Sequence, residues 1–175
     1  EGSFTSIVGR SGSGKSTLLH CISGAIPVDE GTITWKEQPV LDHPEVKQKI
    51  FLVQDEPVFA QTENARELIE YLSLFYPAME SELFYDLLSQ LKLNPKQPFS
   101  AFSKGMKRQV LMAAGLAAHP ELLLIDEVFD GLDPFARRLL QGQLAAQTVE
   151  EGMSSILTSH RLSDLENFCD EYALL

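Results

Sequence analysis

The chain has 175 residues, the size of one domain, and 44% of them are hydrophobic, which is enough to build a buried core and excludes disorder as the main state. The formal net charge of −11 excludes a surface that attracts nucleic acid or anionic lipid as a whole, although a local site can still bind a phosphate-bearing ligand. No apolar run reaches the ~18 residues of a membrane span. Two cysteines are too few for a disulfide framework, which favours the cytosol.

The first third of the chain alternates between strand and helix signals. Residues 4–8 form an apolar run that predicts a strand, and a glycine-rich loop follows it. The apolar spacing after this loop predicts a helix that ends near Gly24. Residues 32–35 predict an exposed strand, and residues 50–53 predict a buried strand of the parallel type.

The middle of the chain is helical in character. Between residues 60 and 98 the apolar period predicts two helices, separated near Pro77 and ended near Pro95. A third helix is predicted over residues 103–118, and a second buried strand follows it over residues 121–125.

The last part returns to alternation. A helix is predicted from Pro134 to Gly152, followed by a strand over residues 155–158 and a helix over residues 162–168. Residues 171–175 read as a strand cut off in progress, and the chain starts without Met, so we expect a domain truncated at both ends. The alternation predicts an α/β fold with a mainly parallel sheet and an inserted helical segment.

The loop after the first strand carries a phosphate-binding motif. Residues 9–17 fit G-x-x-x-x-G-K-S/T in full, between a strand and a helix as the motif requires. Backbone amides and the helix N-terminus would bind the β- and γ-phosphates, Lys15 adds a charge, and Ser16 would coordinate Mg²⁺. A ligand-free glycine turn is the alternative, and the flanking elements argue against it. The predicted nucleotide-binding residues of the loop are Gly9, Arg10, Ser11, Gly12, Ser13, Gly14, Lys15, Ser16 and Thr17.

Two adjacent carboxylates follow the strand over residues 121–125. In a parallel sheet, ligands bind at the carboxyl ends of the strands. We therefore expect Asp126 to face Mg²⁺ through a water molecule and Glu127 to polarise an attacking water. Taken alone, such a pair is usually a solubilising strand end, but a phosphate loop in the same domain favours the catalytic interpretation.

The order of these motifs resembles the nucleotide-binding domain of ATP-binding cassette (ABC) proteins along nearly the entire chain. Gln54 matches the family glutamine that contacts Mg²⁺ and senses the γ-phosphate. Residues 102–106, Phe-Ser-Lys-Gly-Met, keep the Ser and the second Gly of the family signature Leu-Ser-Gly-Gly-Gln and depart from it at three positions.

This signature segment predicts an anion site at the start of a helix. Ser103 can cap the helix, and its first amides, together with Lys104 and Lys107, would form the site. The resemblance implies that Ser103 and Gly105 bind the γ-phosphate of ATP held by another subunit. An ordinary capped helix is the alternative, but a lysine in the first turn opposes the helix dipole, which argues for a nearby anion.

Two further segments match the family. Residues 131–134 resemble its D-loop, which crosses the dimer interface and implies a nucleotide-binding role for Asp133. Residues 158–160 resemble the segment of its switch histidine, so His160 is expected to bond a γ-phosphate oxygen. The histidines His20, His43 and His119 have no matching context. The resemblance thus implies Glu127, His160 and Gln54 as catalytic residues, and Ser16, Gln54 and Asp126 as residues that face the metal.

The resemblance also implies an organisation and a function. A single ABC domain, residues 1–175, would comprise a P-loop core lobe of residues 1–58 and 119–175 and a helical signature lobe of residues 59–118. The aromatic residue that stacks on adenine would lie outside the chain. The implied function is an ATPase subunit that powers a membrane transporter by ATP-driven head-to-tail dimerisation.

The implied ligands are ATP and Mg²⁺, and the implied partners are a second ABC subunit and an integral membrane permease, with no nucleic acid. The permease, of the ABC-2 type by resemblance, would hold the subunit at the cytoplasmic face of the membrane. Two alternatives stay open, a translation-factor type of ABC ATPase and a nucleotide-dependent regulatory module. The net charge of −11 argues against the first, and the presence of Glu127 and His160 argues against the second.

Overall fold

The computed structural model describes residues 2–57, 59, 62–129, 131–160 and 169–175. The strands are β1 (Phe4–Val8), β2 (Thr34–Trp35), β3 (Gln38–Pro39), β4 (Ile50–Val53), β5 (Leu122–Asp126), β6 (Ser154–Ser159) and β7 (Glu171–Leu174). The helices are α1 (Lys15–Ile22), α2 (Pro44–Lys47), α3 (Ala65–Leu72), α4 (Ser81–Gln90), α5 (Lys104–Ala117) and α6 (Pro134–Glu151), with a 3-10 helix at Phe99–Ala101. Within these residues, every helix is too short or too polar to cross a bilayer.

Five strands form one parallel sheet in the order β4-β5-β6-β1-β7. This arrangement confirms the predicted α/β class with a mainly parallel sheet. The loops after β1, β4, β5 and β6 leave the sheet at the same edge, because parallel strands end on one side. That edge is where the fold brings the sequence motifs together.

The sheet has an apolar core on both faces. Leu123 and Ile125 of β5 point to one side and pack with α5, whereas Leu122 and Leu124 point to the other and pack with Leu19 of α1. Alternate residues of a strand face opposite sides, so this continuous apolar run fills both layers.

The helix α5 packs directly on the sheet. At Gly115, an added Cβ would come within 3.1 Å of side-chain atoms of Leu123, Phe51 and Val53. A side chain at this position would force those neighbours to shift by a few tenths of an ångström, so glycine suits the close approach of helix and sheet. The contact fixes the second half of α5 on β4 and β5.

The predicted starts of α5 and α6 agree with the structure, whereas α3 and α4 each end five residues before the proline expected to end them. Ser103 caps α5 by accepting from the backbone N–H of Met106 at 3.2 Å, and Asp133 caps α6 in the same way. The predicted helix over residues 162–168 lies outside the described residues. The short helix α2 was not predicted from the sequence.

The strand predicted over residues 32–35 is shorter in the structure. It is confined to β2, which pairs antiparallel with β3 across Lys36 and Glu37. Both turn residues have positive φ, 48° and 68°, as the tight type I′ hairpin turn requires. Neither is the Gly, Asn or Asp that usually marks this turn in a sequence.

Candidate nucleotide-binding site

The loop between β1 and α1 borders a cavity of about 250 Å³. Gly14 precedes α1 with φ 99°, a conformation that a residue with a side chain rarely adopts. The first residues of α1 line the cavity, so the helix begins at the cavity wall. Its lining residues are Ser11, Gly12, Gly14, Lys15, Ser16, Thr17, Asp55 and Glu127.

The ammonium group of Lys15 lies against this loop. Its Nζ donates hydrogen bonds to the carbonyl oxygens of Gly9 at 3.0 Å and Arg10 at 3.1 Å. The same atom lies 3.4 Å from Oε1 of Glu127, and only 4% of the Lys15 side chain is exposed. A phosphate oxygen carries more negative charge than a backbone carbonyl oxygen, so it can replace the carbonyls of Gly9 and Arg10 beside Lys15.

The two acidic residues at the end of β5 are oriented by Thr158 on β6. Asp126 lies opposite Thr158 in the sheet register, and the Thr158 hydroxyl donates to Asp126 Oδ1 at 2.6 Å. The same hydroxyl accepts from the backbone N–H of Glu127 at 3.1 Å. Glu127 has φ 50°, a left-handed conformation that costs energy in a non-glycine residue. This orienting role of Thr158 was not predicted from the sequence. Its position at the end of a predicted strand was the signal that could have indicated it.

His160 lies beside Glu127. Its Nδ1 is 3.7 Å from Oε2 of Glu127, so the imidazole and the carboxylate are neighbours at the sheet edge. The structure thus brings Lys15, Ser16, Glu127 and His160 together, with Asp126 buried next to them.

Gln54 is not among the residues that line this cavity. Its Nε2 lies 3.5 Å from Nε2 of His20, and its side chain lines a separate groove with Leu72 and Tyr76. His20 Nδ1 lies 2.7 Å from the carbonyl oxygen of Ser16, which can only accept, so Nδ1 carries the proton and Nε2 accepts from Gln54. The expected metal-facing role of Gln54 stays a prediction.

Asp55 lines the cavity instead and belongs to a cluster of opposite charges. Lys104 Nζ lies 3.0 Å from both Asp55 Oδ2 and Glu56 Oε1. The Arg108 guanidinium pairs with the Asp55 carboxylate, and Arg108 Nε donates to the Asp55 carbonyl oxygen at 2.9 Å. Lys104 is thus paired with the chain's own carboxylates, and its expected share in the anion site stays a prediction.

The remaining predicted residues form a second group at the starts of α5 and α6. A Cβ on Gly105 would lie 3.6 Å from the carbonyl oxygen of Gly131, and Gln109 Nε2 donates to Asp133 Oδ2 at 3.4 Å. Ser103, Gly105 and Asp133 are absent from the lining of the phosphate cavity among the residues described. Their nucleotide-binding role therefore needs a nucleotide held elsewhere.

Comparison with known proteins assigns the family. The chain belongs to the ABC transporter family, whose model matches residues 1–130. It is 30% identical over 175 residues to the ABC transporter ATP-binding protein YtrB of Bacillus subtilis (strain 168), covering 100% of this chain and 60% of that protein. It is 32% identical over 181 residues to the linearmycin resistance ATP-binding protein LnrL of the same strain, covering 100% of this chain and 58% of that protein. The chain thus spans 60% or less of the length of these two relatives.

Solved structures agree with this assignment. An ATP-binding subunit of an ABC transporter superimposes with a TM-score of 0.90 at 28% identity, over 99% of this chain and 75% of that one. A dimeric, post-hydrolysis ATP-binding cassette with bound ADP and Pi superimposes with a TM-score of 0.84 at 24% identity, over 100% of this chain and 82% of that one. The fold is that of the ABC ATPase P-loop domain.

Proposed function

We propose that this chain is the ATP-binding and ATP-hydrolysing domain of a transporter subunit. The observation that carries the proposal is the meeting of Lys15, Glu127 and His160 at the glycine-loop cavity, with the first two 3.4 Å apart and the last two 3.7 Å apart. Both relatives named above are ATP-binding proteins, and YtrB is named as one of an ABC transporter, which supports ATP as the ligand.

In this proposal the loop binds the β- and γ-phosphates of ATP. The amides of the loop and the α1 N-terminus donate to phosphate oxygens, and Lys15 exchanges the carbonyls of Gly9 and Arg10 for them. Ser16 and Asp126 offer hydroxyl and carboxylate oxygens, which are the donors Mg²⁺ prefers, so they fit the ion. When bound, the ion neutralises phosphate charge.

Hydrolysis would use the residues at the ends of β5 and β6. Glu127 accepts a hydrogen bond from the attacking water, and His160 bonds a γ-phosphate oxygen. Thr158 holds Glu127 in place through the backbone N–H of that residue.

Assembly would complete the site. Ser103, Gly105 and Asp133 would bind the nucleotide of a second ABC subunit, and that subunit would return the same contacts in a head-to-tail dimer. In this assembly, the helical signature lobe of residues 59–118 presents the start of α5 to the partner.

A permease subunit would dock on the groove that contains Gln54. The groove is lined by Leu72 and Tyr76, and Phe75 lies nearby with 48% of its surface exposed. Burial raises the pKa of Tyr76 to about 12, so its hydroxyl stays neutral and donates to the Ile50 carbonyl oxygen at 3.3 Å. A permease of the ABC-2 type would place the subunit at the cytoplasmic face of the membrane.

The decisive experiment titrates ATP with Mg²⁺ into the wild-type protein and the Lys15→Ala variant by isothermal calorimetry. We expect Lys15→Ala to weaken binding at least about tenfold, because the phosphates lose a charge held in a buried position. Lys96→Ala, at an exposed lysine, is the control and should bind like wild type. Equal affinities of wild type and Lys15→Ala would contradict the proposal.

A further inference from the structure

Asp55 brings a negative charge into the wall of the proposed phosphate cavity. Among the described lining residues, the charged side chains are Lys15, Asp55 and Glu127. Lys15 lies 3.4 Å from Glu127, so its charge is already shared with that carboxylate. The charge of Asp55 must therefore be balanced from outside the lining.

Two cations of α5 supply this balance. Lys104 Nζ lies 3.0 Å from Asp55 Oδ2, and the Arg108 guanidinium pairs with the same carboxylate. These residues are four apart on the helix, so they lie on one face. Glu56 shares Lys104 at 3.0 Å and is mostly exposed, so solvent weakens its share of the cluster.

Arg108 also fixes the position of Asp55. Its Nε donates to the Asp55 carbonyl oxygen at 2.9 Å, so one guanidinium bonds both the side chain and the backbone of that residue. Only 10% of the Arg108 side chain is exposed, which limits screening of this pair by salt. A lysine cannot reproduce this forked contact.

We propose that Arg108 and Lys104 mask the charge of Asp55 and thereby set the affinity of the cavity in the same chain for nucleotide phosphates. The proposal rests on the proposed function and adds a regulation to it. Arg108 is a positioning residue that acts on the phosphates through Asp55. Because both cations belong to α5, a displacement of the start of α5 uncovers Asp55 and weakens phosphate binding.

A charge-rescue experiment tests the proposal by calorimetric titration of ATP with Mg²⁺. Arg108→Met removes the more buried of the two cations that mask Asp55 and should weaken binding about tenfold. The double variant Asp55→Asn/Arg108→Met removes both charges and should return to within about threefold of wild type. If Arg108 served only the packing of α5, the double variant would bind no better than Arg108→Met, and this result would overturn the proposal.

Two further variants keep the test decisive. Arg66→Met removes an exposed arginine paired with Glu70 and should bind like wild type, which controls for net charge. Lys104→Met alters a half-exposed side chain and serves if Arg108→Met does not fold. It should weaken binding severalfold, with the loss shrinking at 1 M salt and disappearing in the Asp55→Asn background.

The failure of this proposal differs from the failure of the proposed function. Absence of ATP binding by wild type would overturn the proposed function and, with it, this proposal. If Arg108→Met and Lys104→Met both bind ATP as well as wild type does, the masking of Asp55 is overturned and the proposed function is not.

Discussion

The hydroxyl of Thr158 donates to the carboxylate of Asp126 at 2.6 Å, and both residues are buried. One threonine thereby satisfies the acidic residue that ends β5 and accepts from the backbone of the next residue. The proposed metal-facing and water-activating groups thus depend on the same hydroxyl.

Thr158→Val should affect both stability and hydrolysis. The isosteric change leaves the buried Asp126 without its donor, which is expected to lower the free energy of unfolding by about 1–3 kcal/mol. Hydrolysis should fall more than ATP affinity, because Glu127 loses the acceptor for its backbone N–H. Urea unfolding and single-turnover phosphate release measure the two effects. Thr158→Ser keeps the hydroxyl and should stay close to wild type; equal losses in both variants would contradict the role of the hydrogen bond.

Glu127→Gln should keep ATP binding and lose most hydrolysis. The amide preserves the shape of the side chain but cannot take a proton from water, and loss of such a group slows the reaction by roughly 10²–10⁴-fold. Single-turnover phosphate release measures the rate, and Glu150→Gln, at an exposed position on α6, is the control. If Glu127→Gln hydrolyses ATP at the wild-type rate, Glu127 has no catalytic role and is only an acidic residue at the end of a strand.

Ser103→Arg should prevent ATP-dependent dimerisation. In the Glu127→Gln background, which traps bound ATP, light scattering with ATP and Mg²⁺ is expected to show a dimer. An arginine in place of the capping serine puts bulk where the partner's γ-phosphate would bind, so this variant should stay monomeric. Ser89→Arg, on the exposed side of α4, should still dimerise. A dimer that forms equally well with Ser103→Arg would argue against the head-to-tail arrangement.

The stability of the fold should depend on pH through His119. This residue joins Glu151 at 2.7 Å and Glu80 at 2.9 Å. Partial burial by itself lowers the pKa of His119, but the hydrogen bonds with Glu151 and Glu80 outweigh it and raise the pKa above the ordinary 6.5. The protonated imidazole therefore contributes stability that is fully present below pH 6.5 and is lost as the pH rises through the raised value in the folded state.

His119→Asn tests this dependence without straining the backbone. His119 has φ 46°, and asparagine tolerates this left-handed conformation. The variant should be less stable than wild type at pH 6, by up to about 1 kcal/mol for each partly exposed pair, and the difference should shrink by pH 8.5. Urea unfolding at the two values measures it. A difference that grows with pH would contradict the sign.

The sequence predicts those parts of the site that consist of residues close together in the chain. The loop around Lys15 and the pair Asp126 and Glu127 are local motifs, and each follows a strand whose apolar run is visible in the sequence. Their meeting at one edge follows from the parallel sheet alone.

The parts that escaped prediction depend on contacts between distant segments. Asp55 and Arg108 are 53 positions apart in the chain and meet only once α5 lies on the sheet. The contact of Gln54 with His20 likewise depends on how β4 lies beside α1. No periodicity or spacing in the sequence records which side chain faces which across such a gap.

The position of Gly115 has a consequence for how α5 can move. An added Cβ at this position would come within 3.1 Å of sheet side chains, so the helix backbone lies close to the sheet here, and we expect α5 to tilt about this point more easily than it slides. Lys104 lies eleven residues away, about 16 Å along the axis at 1.5 Å per residue. A tilt of about 10° therefore moves the start of the helix by about 3 Å, as much as the 3.0 Å span of the Lys104 contacts with Asp55 and Glu56. We therefore expect a small rotation of α5 at the sheet to separate Lys104 from the two carboxylates.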